Sequence, residues 1–305
     1  MQTAIYHIPA LLPEALAALN IKPDGTYIDA TFGGGGHSRA ILNSLGPEGR
    51  LLGFDRDSDA MANAIDDPRF TFVHSNFRYI RNFARYHSLD RVDGILADLG
   101  VSFHHFDTAE RGFSFRTEAP LDMRMNTGAE LTAASIVEKY DRGALTALFR
   151  LYTDLKKPSS IADAIVSARE KAPLATTLDL VKAVAPAINP RQEKKDLAQV
   201  FQALRIETNG EMDDLRAFLD ATRSVLRPGG RLAVLTYHSI EDRIVKNFMR
   251  SGNADGNVEK DFFGNILTPW KTLTKKPIEP SADEIEANPR SRSAKLRVAE
   301  LLESE

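Results

Sequence analysis

A run of four glycines at residues 33–36 constrains the fold of this chain more than any other feature. It follows a β-prone segment that contains Asp29, and it precedes a segment beginning at Ser38 that is typical of a helix start. Consecutive glycines let the backbone turn sharply and approach a ligand without a Cβ in the way. The N-terminus of the next helix offers unpaired N–H groups and the positive end of its dipole. The sequence therefore predicts a strand–turn–helix unit that binds a nucleotide-like ligand.

Three kinds of ligand compete for this loop. A phosphate-binding P-loop ends in Gly-Lys-Ser/Thr, and this loop has no lysine. A dinucleotide fingerprint needs a third glycine, and that position falls on Ser38 or Arg39. The acidic-x-Gly-x-Gly-x-Gly pattern of S-adenosylmethionine binding fits residues 29–35, with Thr31 in place of the first glycine. A glycine turn without any ligand stays open as the alternative.

Acidic residues end three of the first four strand candidates. These residues are Asp29, Asp55 and Asp98. Ligands of open α/β sheets bind at the carboxyl ends of the strands, and Asp55 lies about 20 residues after the glycines, where such folds bind a ribose. Helix capping is the alternative for Asp55. Phe77, just after the third strand, is a candidate for stacking on adenine or for packing in the core.

Composition narrows the class of protein. The chain has 305 residues, 43% hydrophobic and 27% charged, as expected for a globular protein with room for a second domain. The absence of cysteine excludes disulfides, zinc–thiolate sites and thiol catalysis. With neither a signal peptide nor a membrane helix predicted, the cytoplasm is the expected location. Because the net charge is −3, a nucleic-acid partner would have to bind to local basic patches.

A long insertion separates the fourth strand candidate from the next one at residues 230–237. The interval far exceeds what one crossover helix needs. Its helical periodicity and its prolines predict a small helical domain at 126–200, inserted into a sheet domain formed by 1–125 and 201–305. Helices that merely decorate one domain are the alternative. Residues 251–293 are predicted to form a surface segment.

Seven strings in this sequence closely resemble those of one family. They are YIDATFGGGGHSR at 27–39, DLGVS at 98–102, ERGFSF at 110–115, PLDMRM at 120–125, FQALRI at 201–206, HSIEDR at 238–243 and NPRSRS at 288–293. The chain resembles the RsmH (MraW) family of bacterial methyltransferases, which methylate N4 of one cytidine in the decoding centre of small-subunit rRNA. The resemblance spans nearly the whole chain, with the strings in the family's order.

This resemblance implies an α/β fold with a Rossmann-like class I methyltransferase sheet and an inserted all-helical domain for the substrate. It implies S-adenosylmethionine as the cofactor and 16S rRNA, within the small ribosomal subunit, as the partner. It implies no metal and no membrane, and it leaves a homodimer open. The implied cofactor contacts are Gly35, Gly36, His37, Asp55, Phe77 and Asp98. The family's Ser-Pro-Gln is replaced here by Phe103-His104-His105, so His105 would have to make the contact of the glutamine.

Methylation of cytosine N4 needs an aligned amine and an acceptor for its proton. Asp98, Asp122 and His238 are candidates for the catalytic role, and Tyr237 is a further polar neighbour. Asp98 is either the proton acceptor or a cofactor ligand. A structural role is the alternative for each candidate.

A cytosine in structured RNA must also be unstacked, and Phe103 and Phe106 are candidates to support it or to pack in the core. Three basic clusters are candidate phosphate contacts or solvated faces: Arg191, Lys194 and Lys195; Arg243, Lys246 and Arg250; and Arg290, Arg292 and Lys295. Two other functions remain open. One is a nicotinamide-dependent oxidoreductase, which the missing third glycine disfavours, and the other is a non-catalytic RNA-binding factor of ribosome assembly.

Overall fold

A computed structural model describes residues 9–100 and 109–303. Its strands are β1 Thr26–Asp29, β2 Arg50–Asp55, β3 Phe70–His74, β4 Val92–Asp98, β5 Leu226–Thr236, β6 Trp270–Thr272 and β7 Lys295–Leu301. They form one sheet in the order β3-β2-β1-β4-β5-β7-β6. β1 to β5 pair in parallel, whereas β7 runs antiparallel to both β5 and β6. The predicted Rossmann-like class I methyltransferase sheet is therefore confirmed.

The helices of the described residues surround this sheet or form the inserted segment. In chain order they are α1 Leu12–Leu19, α2 Gly36–Ser44, α3 Ile80–Tyr86, α4 Ala133–Lys139, α5 Arg142–Tyr152, α6 Pro158–Arg169, α7 Thr177–Val184, α8 Glu193–Asn209, α9 Glu211–Val225, α10 Ser239–Ser251 and α11 Ala282–Ala287. None of the helices in this part of the chain has the length and apolar character that a membrane span requires.

The central strands are buried along almost their whole length. In β4 only the last residue, Asp98, is partly exposed, and β2 is buried except at its ends. Parallel strands covered on both faces are expected to read as continuous apolar runs, which is how the sequence located them. The strand order reverses direction at β1 and β4, so a crevice for a ligand is expected at the carboxyl ends of these two strands.

The chain divides into two compact units, one formed by 1–100 with 212–305 and the other by 101–211. The second unit extends beyond the predicted insertion at 126–200 on both sides. On the N-terminal side, Leu121 and Met123 are fully buried in the core of the second unit, although their segment shows no helical periodicity. On the C-terminal side, Leu204 of α8 belongs to the same core.

Two further features of the sheet unit differ from the prediction. The fifth strand was expected at 230–237, but β5 begins at Leu226, and its pairing with β4 shifts register between Leu226 and Arg231. Residues 251–293, predicted as a surface segment, contribute the edge strand β6 and helix α11. A three-residue strand is too short to show an alternating pattern, so β6 could not be predicted from the sequence.

Candidate cofactor and catalytic site

The loop after β1 is hydrogen-bonded to both neighbouring strands. The N–H of Phe32 donates to the carbonyl oxygen of Phe54 on β2 at 2.7 Å. On the other side, the N–H of Asp98 on β4 donates to Oγ1 of Thr31 at 2.6 Å. These bonds hold the glycine run at the carboxyl edge of the sheet, between the ends of β2 and β4.

The glycines of this loop serve different purposes. Gly33 and Gly35 have φ of +51° and +74°, a region that favours glycine. A Cβ on Gly35 would lie 2.6 Å from Nη1 of Arg39, and one on Gly36 would lie 2.3 Å from Cγ of Pro9, so the protein's own packing requires both glycines. A Cβ on Gly33 would meet no atom within 4 Å. Gly33, which occupies a glycine position of the acidic-x-Gly-x-Gly-x-Gly pattern, therefore lines open space, and ligand contacts at Gly35 and Gly36 stay predictions.

Asp55 lies at the end of β2 and is fixed by this loop. Its Oδ2 accepts a 2.8 Å hydrogen bond from the N–H of Gly33, and its Oδ1 accepts one of 2.8 Å from the N–H of Asp57. These two backbone N–H donors fix the orientation of the carboxylate. The carboxylate is therefore held beside the open side of Gly33, as a ribose-binding role requires.

Asp29, the acid that ends β1, has a structural role. It is only 1% exposed, its Oδ2 accepts a 2.6 Å hydrogen bond from Oγ of Ser38, and its Oδ1 accepts one of 3.1 Å from the N–H of Thr31. Burial raises the pKa of Asp29, and the hydrogen bond from Ser38 opposes that shift. Of the three acids at strand ends, Asp55 and Asp98 are thus the two that a ligand can reach.

Asp98 ends β4 and bonds to the residue that follows β5. The hydroxyl of Tyr237 donates to Oδ1 of Asp98 at 2.7 Å. Burial raises the pKa of Asp98 to about 7; the hydrogen bond from Tyr237 opposes this shift, and the charge of Glu241 adds to it. The side chain is still 23% exposed, so a ligand can contact it. Asp98 is therefore a carboxyl group that gains or loses its proton near neutral pH.

His37, in the first turn of α2, faces the other oxygen of Asp98. Its Nδ1 lies 3.6 Å from Oδ2 of Asp98, and its Nε2 lies 3.3 Å from the carbonyl oxygen of Ala10. Burial lowers the pKa of His37 against the opposing charge of Asp29, which favours the neutral ring. A neutral ring that donates from Nε2 to the carbonyl presents the lone pair of Nδ1 to Asp98. The 3.6 Å between Nδ1 and Oδ2 is longer than a hydrogen bond, so His37 neighbours the carboxyl group of Asp98 without bonding to it.

Phe77 begins the short 3₁₀ turn Phe77–Tyr79 that follows β3. Its half-buried ring packs edge-on against Phe218 of α9, with 5.1 Å between the centroids. Because the ring of Phe77 contacts Phe218 and is also partly exposed, it can contribute to the core and still stack on a base.

A buried carboxylate in α9 connects the turns that carry Asp55 and Phe77. Asp214 is 4% exposed and accepts hydrogen bonds from Nη1 of Arg56 at 3.2 Å, Nδ2 of Asn76 at 2.5 Å and Nη1 of Arg78 at 2.9 Å. Arg56 directly follows Asp55, and Asn76 directly precedes Phe77. Sequence reasoning missed Asp214, whose only signal is an acid beside the buried Leu215 and Phe218 of an amphipathic helix.

The other two predicted catalytic residues are engaged in local structure. Asp122 lies in the unit 101–211 and accepts from Nε and Nη2 of Arg124 at 2.9 and 2.7 Å. Burial would raise the pKa of Asp122, but the hydrogen bonds and charge of Arg124 outweigh it and lower the pKa. His238 caps α10 by accepting at Nδ1 from the N–H of Glu241 at 3.4 Å, and its Nε2 lies 3.0 Å from Oε1 of Glu241. Catalytic roles for Asp122 and His238 stay predictions that these contacts do not favour.

The structure brings five of the predicted residues to one edge of the sheet unit. These are Gly35, His37, Asp55, Phe77 and Asp98, and Gly36 starts the helix between them. The predictions for Phe103, His105 and Phe106 concern positions outside the described residues. The edge thus combines an open glycine turn, a fixed carboxylate, an aromatic ring and a carboxyl group that titrates near pH 7.

Comparison with known proteins identifies the family. The family model described as the MraW methylase family matches residues 4–302. The proteins named "Ribosomal RNA small subunit methyltransferase H" from Bacteroides thetaiotaomicron and Parabacteroides distasonis are each 57% identical to this chain, over 97% of both sequences. The protein of the same name from Christiangramia forsetii is 50% identical, over 97% of this chain and 98% of its own length. The chain therefore belongs to the MraW methylase family.

Proposed function

We propose that this protein transfers the methyl group of S-adenosylmethionine to N4 of a cytidine in 16S rRNA. The observation that carries the proposal is the carboxyl edge of β1, β2 and β4, where Asp55 and Asp98 flank the open side of Gly33. The family of the chain and the names of its relatives support the reaction and the substrate.

The residues of this edge are chemically suited to S-adenosylmethionine. A side chain at Gly33 would fill the open space that a ligand needs, so this position acts as a cradle. Asp55 accepts hydrogen bonds from the ribose hydroxyls, and the ring of Phe77 packs against the adenine. When bound, the cofactor supplies an electrophilic methyl group on a sulfonium.

Asp98 is the proton acceptor in this proposal. The amine of cytosine becomes cationic as it gains a methyl group, and a nearby carboxylate stabilises it and takes its proton. At neutral pH, a carboxyl group with a pKa of about 7 is deprotonated in a large fraction of the molecules. It is also basic enough to accept the proton of the amine. Asp122 is less suited, because Arg124 already neutralises it. Tyr237 orients Asp98 through its 2.7 Å hydrogen bond.

The unit 101–211 is proposed to recognise the RNA. The helices of this unit pack around a hydrophobic core of their own, so the fold of the unit does not depend on the residues of the cofactor edge. The substrate is proposed to be the small ribosomal subunit, as the names of the relatives suggest, and the place of the reaction is then the cytoplasm. The homodimer that the sequence leaves open is tested by sedimentation of the purified protein.

The test is methyl transfer from methyl-labelled S-adenosylmethionine to small subunits isolated from cells that lack the gene. Nucleosides from the digested 16S rRNA are separated, and the label is expected in N4-methylcytidine. Large subunits and naked 16S rRNA serve as comparisons. Label in another nucleoside, or none in any RNA despite cofactor binding, contradicts the proposal; the second result would favour a non-catalytic assembly factor.

A further inference from the structure

The exposed side of α10 carries only one kind of charge. Its exposed positions are Ser239, Arg243, Lys246 and Arg250, which follow one another at spacings of three or four residues. Residues at such spacings share one face of a helix. Within the described part of the chain, none of the three cations makes an ion pair. In a protein whose net charge is −3, this face is a local concentration of positive charge.

The two acids of α10 are turned inward and engaged. Asp242 accepts from Nε and Nη2 of Arg297 at 2.7 and 3.0 Å, and Arg297 is only 7% exposed. Glu241 is 2% exposed and accepts from the N–H of Tyr237 at 2.9 Å. The acids therefore do not screen the cations of the exposed face. Tyr237 is also the residue that bonds to Asp98, so α10 begins at the proposed catalytic edge.

The chain that follows α10 forms an exposed aromatic hairpin. A bridge between Lys260 and Ile266 closes this segment, called here the 260–266 hairpin. Phe262 and Phe263 at its tip are 97% and 84% exposed, and their rings stand nearly perpendicular to each other. An ordered loop that displays two such rings is expected to mark an interaction site.

Hydrogen bonds hold the tip of the hairpin in one conformation. Oδ1 of Asp261 accepts from the N–H of Phe263 and from that of Asn265, each at 2.8 Å, and its Oδ2 accepts from Nδ2 of Asn265 at 2.9 Å. The backbone carbonyl oxygen of Asn265 in turn accepts a hydrogen bond from the N–H of Asp261 at 2.9 Å. The rings are therefore displayed by a preorganised turn, which reduces the entropy lost when they bind a partner.

The chain around the hairpin packs against the C-terminal end of α10. The helix ends at Gly252, which has a φ of +77°. A Cβ added to this glycine would lie only 2.9 Å from Cδ of Pro269, so the two segments are closely packed. Oγ1 of Thr272 donates to the carbonyl oxygen of Met249 at 3.0 Å. The segments before and after the hairpin therefore meet at the C-terminal end of α10, close to Arg250, the last cation of the basic face.

We propose that the basic face of α10 and the 260–266 hairpin form one binding surface for an unpaired strand of RNA. Arg243, Lys246 and Arg250 contact its phosphates, and Phe262 and Phe263 stack on its bases. A row of cations joined to exposed aromatic rings is the combination by which proteins hold single strands, since every base has a face on which to stack. The inference rests on the proposed function for its substrate, and it adds a surface outside the catalytic edge.

The test measures binding of a short, fluorescein-labelled, unstructured RNA by anisotropy over a series of salt concentrations. The variant Arg243→Gln/Lys246→Gln/Arg250→Gln is expected to reduce the slope of log K against log salt by about 2, because each contacted phosphate of a single strand contributes about 0.7. The variant Phe262→Ser/Phe263→Ser is expected to weaken binding by at least roughly 30-fold with an unchanged slope, since two stacked bases are lost and stacking is not electrostatic.

The matched control is Arg81→Gln/Arg85→Gln/Arg223→Gln, which removes the same charge from exposed helical positions elsewhere in the sheet unit. If it reduces the slope as much as the α10 variant, binding follows net charge and the proposal is wrong. Loss of self-association in the Phe variant with unchanged RNA binding also overturns it, because the rings then contact a second copy.

Two further measurements separate this inference from the proposed function. Every variant should bind S-adenosylmethionine like the wild type, which shows that the sheet unit is folded. If both variants transfer methyl groups and bind RNA as tightly as the wild type, the binding surface is refuted and the proposed function stands. The expected affinity losses in a protein that methylates no RNA would support the surface and refute the proposed function.

Discussion

The hydroxyl of Tyr237 donates a 2.7 Å hydrogen bond to Oδ1 of Asp98, joining the residue after β5 to the end of β4. Burial raises the pKa of Asp98 to about 7, and burial together with the charge of Asp98 raises that of Tyr237 well above its ordinary value. The tyrosine therefore remains a donor throughout the working range, while the carboxyl group changes its protonation state within it. If Asp98 is the proton acceptor, as we propose, the pH dependence of methyl transfer should follow the titration of this carboxyl group.

Replacing Tyr237 with Phe should move the pH profile of methyl transfer upward. The hydrogen bond from Tyr237 lowers the pKa of Asp98, so its loss leaves the pKa above about 7. A base acts only when it is deprotonated; activity should therefore fall at neutral pH and recover in more alkaline buffer. The measurement is kcat/KM as a function of pH for both proteins. An unchanged midpoint would show that Asp98 is not the group that titrates.

The stability of the protein should also carry the signature of Asp98. Its pKa is about 7 in the folded state, against an ordinary value of 3.8. Between these values the folded state keeps a proton that the unfolded state has lost, so the free energy of unfolding falls as pH rises from about 4 to about 7. Denaturant titrations at about pH 5 and about pH 8 should show a smaller loss in Asp98→Asn than in the wild type. An equal loss in both proteins contradicts the assigned shift.

Asp55→Ala should weaken binding of S-adenosylmethionine. Charge-assisted hydrogen bonds to the ribose are worth on the order of 1.5–3 kcal/mol, which corresponds to a loss of roughly 10- to 150-fold in affinity. Cofactor affinity is measured by calorimetry, with Asp66→Ala as the control, because Asp66 is an exposed acid in the same unit of the chain. Wild-type affinity in Asp55→Ala would refute the role of this carboxylate.

Asp214→Asn should reduce both stability and cofactor affinity, although Asp214 is a positioning residue. Loss of its charge weakens the hydrogen bonds from Arg56 and Arg78 and should cost about 1–3 kcal/mol of folding free energy. The turns beside Asp55 and Phe77 then become less fixed. Asp220→Asn, an exposed change in the same helix, is the control. If calorimetry finds lower stability but unchanged cofactor affinity, Asp214 does not position the site.

The sequence located the strands of the sheet well where local pattern decides them. β1, β2 and β4 end at the predicted acids Asp29, Asp55 and Asp98, because buried parallel strands are apolar runs that end at polar residues. Pattern could not show that residues 110–125, which lack periodicity, belong to the helical unit, since only tertiary contacts bury Leu121 and Met123 there. β6 also could not be predicted from local pattern, because its three residues form a strand only through their pairing with β7.

The site could be predicted only in part. Asp55 and Asp98 were found because an acid at the end of a buried strand is visible in the sequence. The sequence could not distinguish them from Asp29, whose carboxylate is turned inward to Ser38. Asp214 was out of reach, because its contacts join residues more than a hundred positions apart.

The most direct measurement of the central claim is the nucleoside composition of 16S rRNA in a strain that lacks the gene. Mass spectrometry of the digested RNA is expected to show one N4-methylated cytidine missing from the deletion strain. The wild-type gene should restore it, whereas Asp55→Ala should restore little of it when S-adenosylmethionine is scarce. The same N4-methylation in the deletion strain as in its parent, or its restoration by a gene without the acids at Asp55 and Asp98, would contradict the account.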